Sequence, residues 1–89
     1  MENTQISLAE LKAFESALET FKDNILQHCR NLEDGISGCQ QFMKDQPSQK
    51  ALQDGQMLCD DIKSCLNPTE KLLDKIRNMI SIMNSAPEE

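Results

Sequence analysis

Two long segments in which apolar residues recur at alternating steps of three and four constrain this chain more than any other feature. That spacing aligns side chains along one stripe of an α-helix, because a helix turns once in about 3.6 residues. The stripe of the first segment consists of Leu11, Phe14, Leu18, Phe21, Ile25, His28, Leu32, Gly35, Cys39 and Phe42. The stripe of the second segment consists of Leu52, Gly55, Cys59, Ile62, Leu66, Thr69, Leu73, Ile76, Ile80 and Met83.

The first helix has a clear predicted start. Ser7 is the expected N-cap, and Glu10 stands three residues later, as in a capping box. We predict a helix over about residues 7–45, roughly 55–60 Å long. Gly35 and Gly38 weaken its middle by on the order of 1 kcal/mol each. Because helical spacing continues through both glycines, we expect one unbroken helix.

Pro47 divides the two segments. It has no backbone N–H and disfavours helical geometry at the residue before it, so the first helix is predicted to end near Asp45. Either Asp45 or Ser48 then caps the next helix. We predict an elbow over about residues 45–48 and a second helix over about residues 48–83.

A second proline interrupts the second helix. Asn67 resembles an N-cap followed by Pro68 at the first helical position, so we predict a kink or restart near Pro68. Residues 84–89 are expected to form a flexible tail and residues 1–6 a lead-in. The predicted helical-hairpin domain therefore covers residues 7–83.

The two stripes mirror each other about Pro47. Positions equidistant from the elbow pair Cys39 with Gly55 and Gly35 with Cys59. The predicted fold class is all-α, an antiparallel helical hairpin whose two stripes face each other.

Each predicted helix carries apolar residues beside its stripe. Those on the first helix are Cys29, Ile36 and Met43. Those on the second helix are Ala51, Leu58, Cys65, Leu72 and Met79. Two helices alone cannot bury stripes this wide, whereas two hairpins packed as a four-helix bundle can. We expect such a dimer; the alternative is a three- or four-helix monomer bent at the central glycines and at Pro68.

Composition supports an all-helical chain and narrows its partners. The 89 residues contain no valine and only 3% aromatic residues, which favours helix packing over sheets. The formal net charge of −6 argues against nucleic acid and anionic membrane surfaces as partners. No apolar run reaches the roughly 20 residues of a membrane span, and no cleavable signal peptide is recognisable. We expect a cytoplasmic protein, or one exported without a cleaved signal peptide.

The four cysteines and His28 suggest disulfides or zinc. In the predicted register Cys39 faces Gly55, while Cys29 and Cys65 fall on opposite flanks, so neither geometry favours a cross-link. The ligand spacing also fits no common zinc motif. We therefore predict small core cysteines in a reducing compartment, with no metal or other cofactor. The alternative is a hairpin of the twin-cysteine type, held by disulfides or metal in an oxidising compartment.

No catalytic motif is present in the sequence. It contains no glycine-rich phosphate loop and no Ser-His-Asp order. The carboxylates are scattered along the polar faces of the predicted helices, and a thin hairpin lacks the concavity that small-molecule sites need. We predict a protein without enzymatic activity.

Nearly the whole chain of this predicted hairpin resembles the WXG family. Members of that family are small helical-hairpin proteins of type VII secretion in Gram-positive bacteria and actinobacteria. Residues 6–14 are similar to the N-terminal segment of that family. Met43-Lys44-Asp45 takes the place of the Trp-x-Gly turn, or of its Trp-x-Asp variant, and Lys50-Ala51-Leu52 opens the second helix. Methionine replaces the tryptophan here, and the C-terminal tyrosine followed four residues later by an acid is missing.

The resemblance implies a protein–protein interaction module. Its expected partner is itself, another helical hairpin or the N-terminal domain of a toxin. The expected interface is a subset of the two stripes and their flanks: Leu11, Phe14, Leu18, Phe21, Ile25, Leu32, Ile36, Cys39, Phe42, Leu52, Leu58, Cys59, Ile62, Leu66, Leu72, Leu73, Ile76, Met79, Ile80 and Met83. The expected turn is built from Met43, Lys44, Asp45 and Pro47. The resemblance further implies a role as a partner or targeting protein of type VII secretion.

Overall fold

The computed structural model describes residues 7–85 and is all-helical across them. Three helical segments follow one another: α1 covers Leu8–Gln40, α2 covers Gln46–Lys63 and α3 covers Leu66–Ser85. α1 packs against both α2 and α3. Helices α2 and α3 together form the second arm of a hairpin, which is bent where they meet. The prediction of a helical hairpin is confirmed.

α1 is one continuous helix. Its N-cap is Ser7, whose hydroxyl oxygen accepts a hydrogen bond of 3.4 Å from the backbone N–H of Glu10. The helix continues through Gly35 and Gly38 without a break. The bend that the monomer alternative placed at these two glycines is therefore absent.

α1 ends at Gln40, earlier than the predicted end near Asp45. The backbone N–H groups of Phe42 and Met43 both donate to the carbonyl oxygen of Cys39, each at 2.9 Å. These two bonds close the last turn of the helix, and the chain then leaves the helical path.

Asp45 caps α2. Its carboxylate accepts hydrogen bonds from the backbone N–H of Ser48 at 3.1 Å and from the Ser48 hydroxyl at 2.7 Å. Pro47 lies within the first turn of α2, where its missing N–H would have no helical partner in any case. The elbow therefore occupies residues 41–45, and the prediction of an elbow over 45–48 placed it too late.

The second arm bends at Ser64 and Cys65, one turn before Pro68. Pro68 cannot donate to the carbonyl of the residue four positions earlier, and its ring crowds that carbonyl. Thr69 stabilises the bend, because its hydroxyl donates to the Cys65 carbonyl at 2.7 Å. The predicted kink is present, but α3 begins at Leu66, so the prediction of an N-cap at Asn67 was wrong.

α3 continues through Ser85. Asn84 and Ser85, which were predicted to belong to the tail, are helical. The predicted lead-in, residues 1–6, and the rest of the predicted tail, residues 86–89, lie outside the described residues.

The hairpin is a single flat layer. It measures 70 × 23 × 14 Å, which is two helices wide and one helix thick. Its radius of gyration is 20.2 Å, against about 12 Å for a compact domain of this length. Both broad sides of the layer are therefore surfaces of the protein.

Candidate interaction surface

The two arms meet along a contact row, which we define as the buried and half-buried apolar residues, with Thr69 and Gly55, between them. Leu73, Cys29 and Cys59 are its most deeply buried members. On α1 and in the turn, the contact row consists of Leu8, Leu11, Leu18, Ile25, Cys29, Ile36 and Met43. On the second arm, it consists of Leu52, Gly55, Cys59, Ile62, Leu66, Thr69, Leu73, Ile76 and Ile80.

The second arm buries or half-buries its predicted stripe except for Met83, which is 37% exposed, whereas α1 buries only part of its own stripe. Leu11, Leu18 and Ile25 face the second arm, but the contact row then passes to Cys29 and Ile36. The remaining apolar residues of the predicted α1 stripe are exposed on the single hairpin: Phe14 at 45%, Phe21 at 49%, Leu32 at 40%, Phe42 at 81%, and Cys39. The prediction that these residues lie between the two arms was therefore wrong.

The predicted pairing of the arms is also wrong. Gly55 lies against Ile36 instead of Cys39, and a Cβ atom on Gly55 would lie 3.3 Å from Ile36 Cδ1. The elbow forms before Pro47, so the point about which the arms mirror each other lies closer to the N-terminus than predicted.

Apart from His28, which follows Ile25, and Gln46, which follows Met43, the residues three positions after a contact-row residue are apolar or belong to the contact row themselves. On α1, Phe14 follows Leu11 and Phe21 follows Leu18 in this way. Three residues fall about 60° short of a full helical turn, so these side chains lie to one side of the contact row. We call this set the apolar face: Phe14, Phe21, Leu32, Cys39, Leu58, Cys65, Leu72, Met79 and Met83.

Residues four positions after a contact-row residue include the charged partners of the hairpin. Four residues fall about 40° past a full turn, so these side chains lie on the other side of the contact row. On α1, Glu15 follows Leu11 and Lys22 follows Leu18 in this way. Together with their ion-pair partners they form the charged face: Glu15, Glu19, Lys22, Glu33, Lys63, Glu70 and Arg77.

Ion pairs between the arms show that the charged positions of both arms lie on the same side. Lys22 Nζ lies 2.6 Å from Glu70 Oε2. Lys63 Nζ lies 2.7 Å from Glu33 Oε2. Because the arms are antiparallel and their charged flanks meet on one side, their apolar flanks meet on the opposite side. The hairpin thus has one charged and one apolar broad side.

Arg77 joins the two arms near the open end of the hairpin. Its Nε lies 3.2 Å from Glu15 Oε2, and its Nη2 lies 2.7 Å from Glu19 Oε2. These hydrogen bonds raise the pKa of Arg77 further above its usual value.

The hydrogen bonds of the charged face also shift its carboxyl groups. The bond from Lys22 lowers the pKa of Glu70. The bond from Lys63, with a smaller contribution from Gln56, lowers the pKa of Glu33. The pKa of Lys63 is raised by the same bond to Glu33. Each of these shifts favours the charged form of the group, and the ion pairs are already made within one hairpin.

Two cysteines meet inside the contact row. Cys29 is 1% exposed and Cys59 is fully buried. The Cys29 thiol donates to the backbone carbonyl of Cys59, with 3.7 Å between sulfur and oxygen. Cys59 was predicted to face Gly35 but lies against Cys29, so the predicted register was wrong at this position. Cys39 and Cys65 are exposed on the apolar face.

The predicted turn residues lie where the arms join. Met43 and Lys44 precede the cap of α2 at Asp45, while Pro47 belongs to the helix itself. The Gln49 side chain donates to the Met43 carbonyl and ties the turn to α2.

Some exposed apolar residues lie outside the apolar face. They are Leu26, Phe42, Met57 and Ile82. Within residues 7–85, no group of three or more His, Cys, Asp or Glu side chains is arranged to hold a metal ion. None of the helices in that range is long and apolar enough to cross a membrane.

Comparison with known proteins gives no relative: no family model, no curated protein and no solved structure matches the chain.

The charged face was the feature missed in the sequence. Glu15, Lys22 and Glu33 recur four positions after Leu11, Leu18 and Cys29, and basic or acidic partners hold the equivalent positions of the second arm. That pattern would have identified Cys29 as a contact-row residue, because a charged residue follows it four positions later, as one does after Leu11 and Leu18.

Proposed function

We propose that the protein is a non-enzymatic protein–protein interaction module that works as a dimer of helical hairpins. The observation that carries this proposal is the apolar face, which groups apolar side chains from both arms on one broad side of a single-layer hairpin. Contiguous apolar patches of this kind mark association surfaces. The charged face is a poor alternative, because its charges are already paired within the hairpin and remain hydrated.

The accessible surface supports a missing partner. The hairpin exposes 6575 Å², whereas a compact monomer of its mass would expose about 5,300 Å². The excess of about 1,300 Å² exceeds the roughly 800 Å² that each partner contributes to a stable interface. Covering one broad side would bring the exposed area of each chain into the usual range.

The occupant we propose is a second copy of this chain, packed antiparallel to the first. Near the open end of the hairpin the apolar face carries large residues, including Phe14, Phe21 and Met79. Near the elbow it carries the smaller Cys39 and Leu58. A two-fold antiparallel arrangement sets the large end of each copy on the small end of the other, which yields a four-helix bundle of even thickness.

Mass in solution tests this arrangement. Light scattering should give twice the 10.1 kDa of one chain for the wild type. The Phe14→Ser/Phe21→Ser variant should give the mass of one chain, because it removes the two largest side chains from the apolar face. The matched control is Leu26→Ser/Met57→Ser, which removes two exposed apolar side chains from outside the apolar face and should remain a dimer.

A monomeric wild type at high concentration would refute self-association. Mixing it with candidate helical hairpins would then test the heterodimer separately. A dimer that is weakened equally by both double variants would mean that another surface forms the interface.

We further propose that the hairpin serves type VII secretion as a WXG-like partner or targeting protein. Its length, its hairpin fold and the position of Met43-Lys44-Asp45 between the arms support this role. The test is expression in a Gram-positive host with intact or deleted type VII machinery. Machinery-dependent appearance of the chain in the medium, or machinery-dependent export of a hairpin co-expressed with it, would support the role. The absence of both effects would refute the role.

A further inference from the structure

The buried cysteine pair lies apart from the apolar face. Cys29 on α1 and Cys59 on α2 occupy the contact row, and both sulfurs are shielded from water. The Cys29 sulfur reaches the backbone carbonyl of Cys59 at 3.7 Å, so no other side chain separates it from the Cys59 main chain. The two residues are neighbours across the arms, as the two cysteines of a cross-link between antiparallel helices must be.

We propose that Cys29 and Cys59 form an intramolecular disulfide, a reversible modification that joins α1 to α2 when the protein meets a small disulfide oxidant such as glutathione disulfide. This inference does not depend on dimerisation, because the pair faces the other arm of the same chain.

The exposed cysteines cannot form this bond with each other. Since Gly55 lies against Ile36, Cys39 lies opposite Leu52 in the same register. Cys65 is thirteen residues farther along the second arm, or about 20 Å along the helix axis. That separation far exceeds the roughly 4.4–6.8 Å between Cα atoms in a disulfide.

The reaction is a thiol–disulfide exchange in two steps. One cysteine thiolate attacks a sulfur of glutathione disulfide, whose S–S bond breaks, and one glutathione leaves and takes up a proton. The second cysteine loses its proton and attacks the protein sulfur of the mixed disulfide, which releases the second glutathione. The protein thus loses two electrons and two protons, and glutathione disulfide is reduced to two glutathione molecules.

Burial controls the rate of this exchange. Loss of hydration on burial, with a smaller effect of the Glu33 charge, raises the pKa of the Cys59 thiol. Since the thiolate is the attacking species, exchange in the closed hairpin is slow and proceeds through transient separation of the arms. The same burial then protects the disulfide from reduction.

The bond would lock the register of the arms. It closes a loop of about 30 residues that contains the elbow, which restricts the unfolded chain. We expect the melting temperature to rise by roughly 10 °C or more.

The test uses the full chain carrying Cys39→Ser/Cys65→Ser, which keeps only the buried pair. The reduced protein is incubated in a series of glutathione and glutathione disulfide mixtures with low urea, which opens the arms transiently. It is then alkylated, digested with trypsin and analysed by mass spectrometry. We expect peptide 23–30 linked to peptide 51–63, and a melting temperature that rises on oxidation and falls again with a reducing agent.

The matched control is Cys29→Ala/Cys59→Ala, which keeps the two exposed cysteines and should form no link within one chain. The wild type, mapped in the same way, must also give the 23–30 to 51–63 link, so the result does not depend on a variant that folds. Free thiols at Cys29 and Cys59 after full oxidation would overturn the proposal. So would persistent glutathione adducts without a link, or a link that leaves the melting temperature unchanged.

Discussion

The two broad sides of the hairpin differ completely in chemistry although both flank the same contact row. The charged face ties the arms together through pairs such as Lys22 with Glu70 and Lys63 with Glu33. The apolar face leaves side chains such as Phe21 about half exposed. An exposed residue three positions after a contact-row residue lies on the side of the apolar face, and one four positions after lies on the side of the charged face.

This difference separates stability from association. Exposed ion pairs contribute little to stability, but they fix which residues of the two arms stand opposite each other. The contact row supplies the core of a single hairpin, and the apolar face adds surface that one hairpin cannot bury. We therefore expect substitutions in the contact row, on the charged face and on the apolar face to have distinct effects.

The largest effect is expected from adjacent leucines on α3. Leu73 lies fully buried in the contact row, whereas Leu72 lies on the apolar face and is 37% exposed. Leu73→Ala should lower the free energy of unfolding by about 2–5 kcal/mol, because it leaves a cavity between the arms. Leu72→Ala should lower it by roughly 1 kcal/mol or less in dilute, monomeric protein. Urea denaturation measures both, and equal losses would mean that the apolar face belongs to the core of one hairpin.

A smaller effect is expected from two glycines. A Cβ atom at Gly35 meets nothing within 4 Å, whereas one at Gly55 meets Ile36 Cδ1 at 3.3 Å. Gly35→Ala should raise the free energy of unfolding by up to about 1 kcal/mol through helix propensity alone. Gly55→Ala should raise the free energy of unfolding by less than Gly35→Ala does, or lower it, because Ile36 must move. Thermal melts of the two variants compare them, and an equal gain would show that the contact row is loosely packed at the elbow end.

The smallest effect is expected on the charged face at low pH. The pKa values of Glu33 and Glu70 are lowered in the folded hairpin, so their ion pairs stabilise it above the unfolded value of about 4.3. That stabilisation should be lost as the pH falls through and below this value. The urea midpoint, measured from about pH 6 to about pH 3, should therefore fall less in Glu33→Gln/Glu70→Gln than in the wild type.

A residual acid effect should remain in that variant. Hydrogen bonds from Ser48 also lower the pKa of Asp45, the N-cap of α2. Midpoints of wild type and variant that fall in parallel would show that the charged face does not stabilise the hairpin.

The hairpin itself was predictable from sequence. Helical spacing through Gly35 and Gly38, the capping residue Ser7 and the interruption before Pro47 all indicated two helical arms. The exact position of the turn could not be predicted, because a proline fits equally well in an elbow and in the first turn of the next helix. Only the hydrogen bonds of Asp45 to Ser48 distinguish these two cases.

The register of α1 was the part that apolar spacing alone could not decide. The stripe through Phe14 and Phe21 and the row through Cys29 and Ile36 are both apolar, and one helix cannot turn both toward the second arm. Burial of larger side chains would favour the phenylalanines, but the ion pairs of Lys22 and Glu33 are made when Cys29 faces inward. The cysteine pair was missed for the same reason.

The most direct test of the apolar face as the dimer interface is the reactivity of its own cysteines. Cys39 and Cys65 are exposed on one hairpin, while Cys29 and Cys59 are buried in any case. The rate at which a chromogenic thiol reagent modifies the two exposed cysteines is measured over a wide range of protein concentration. We predict that the rate falls as dimers form and stays high throughout in Phe14→Ser/Phe21→Ser. A wild-type rate that does not depend on concentration would contradict the assignment of the apolar face as the interface.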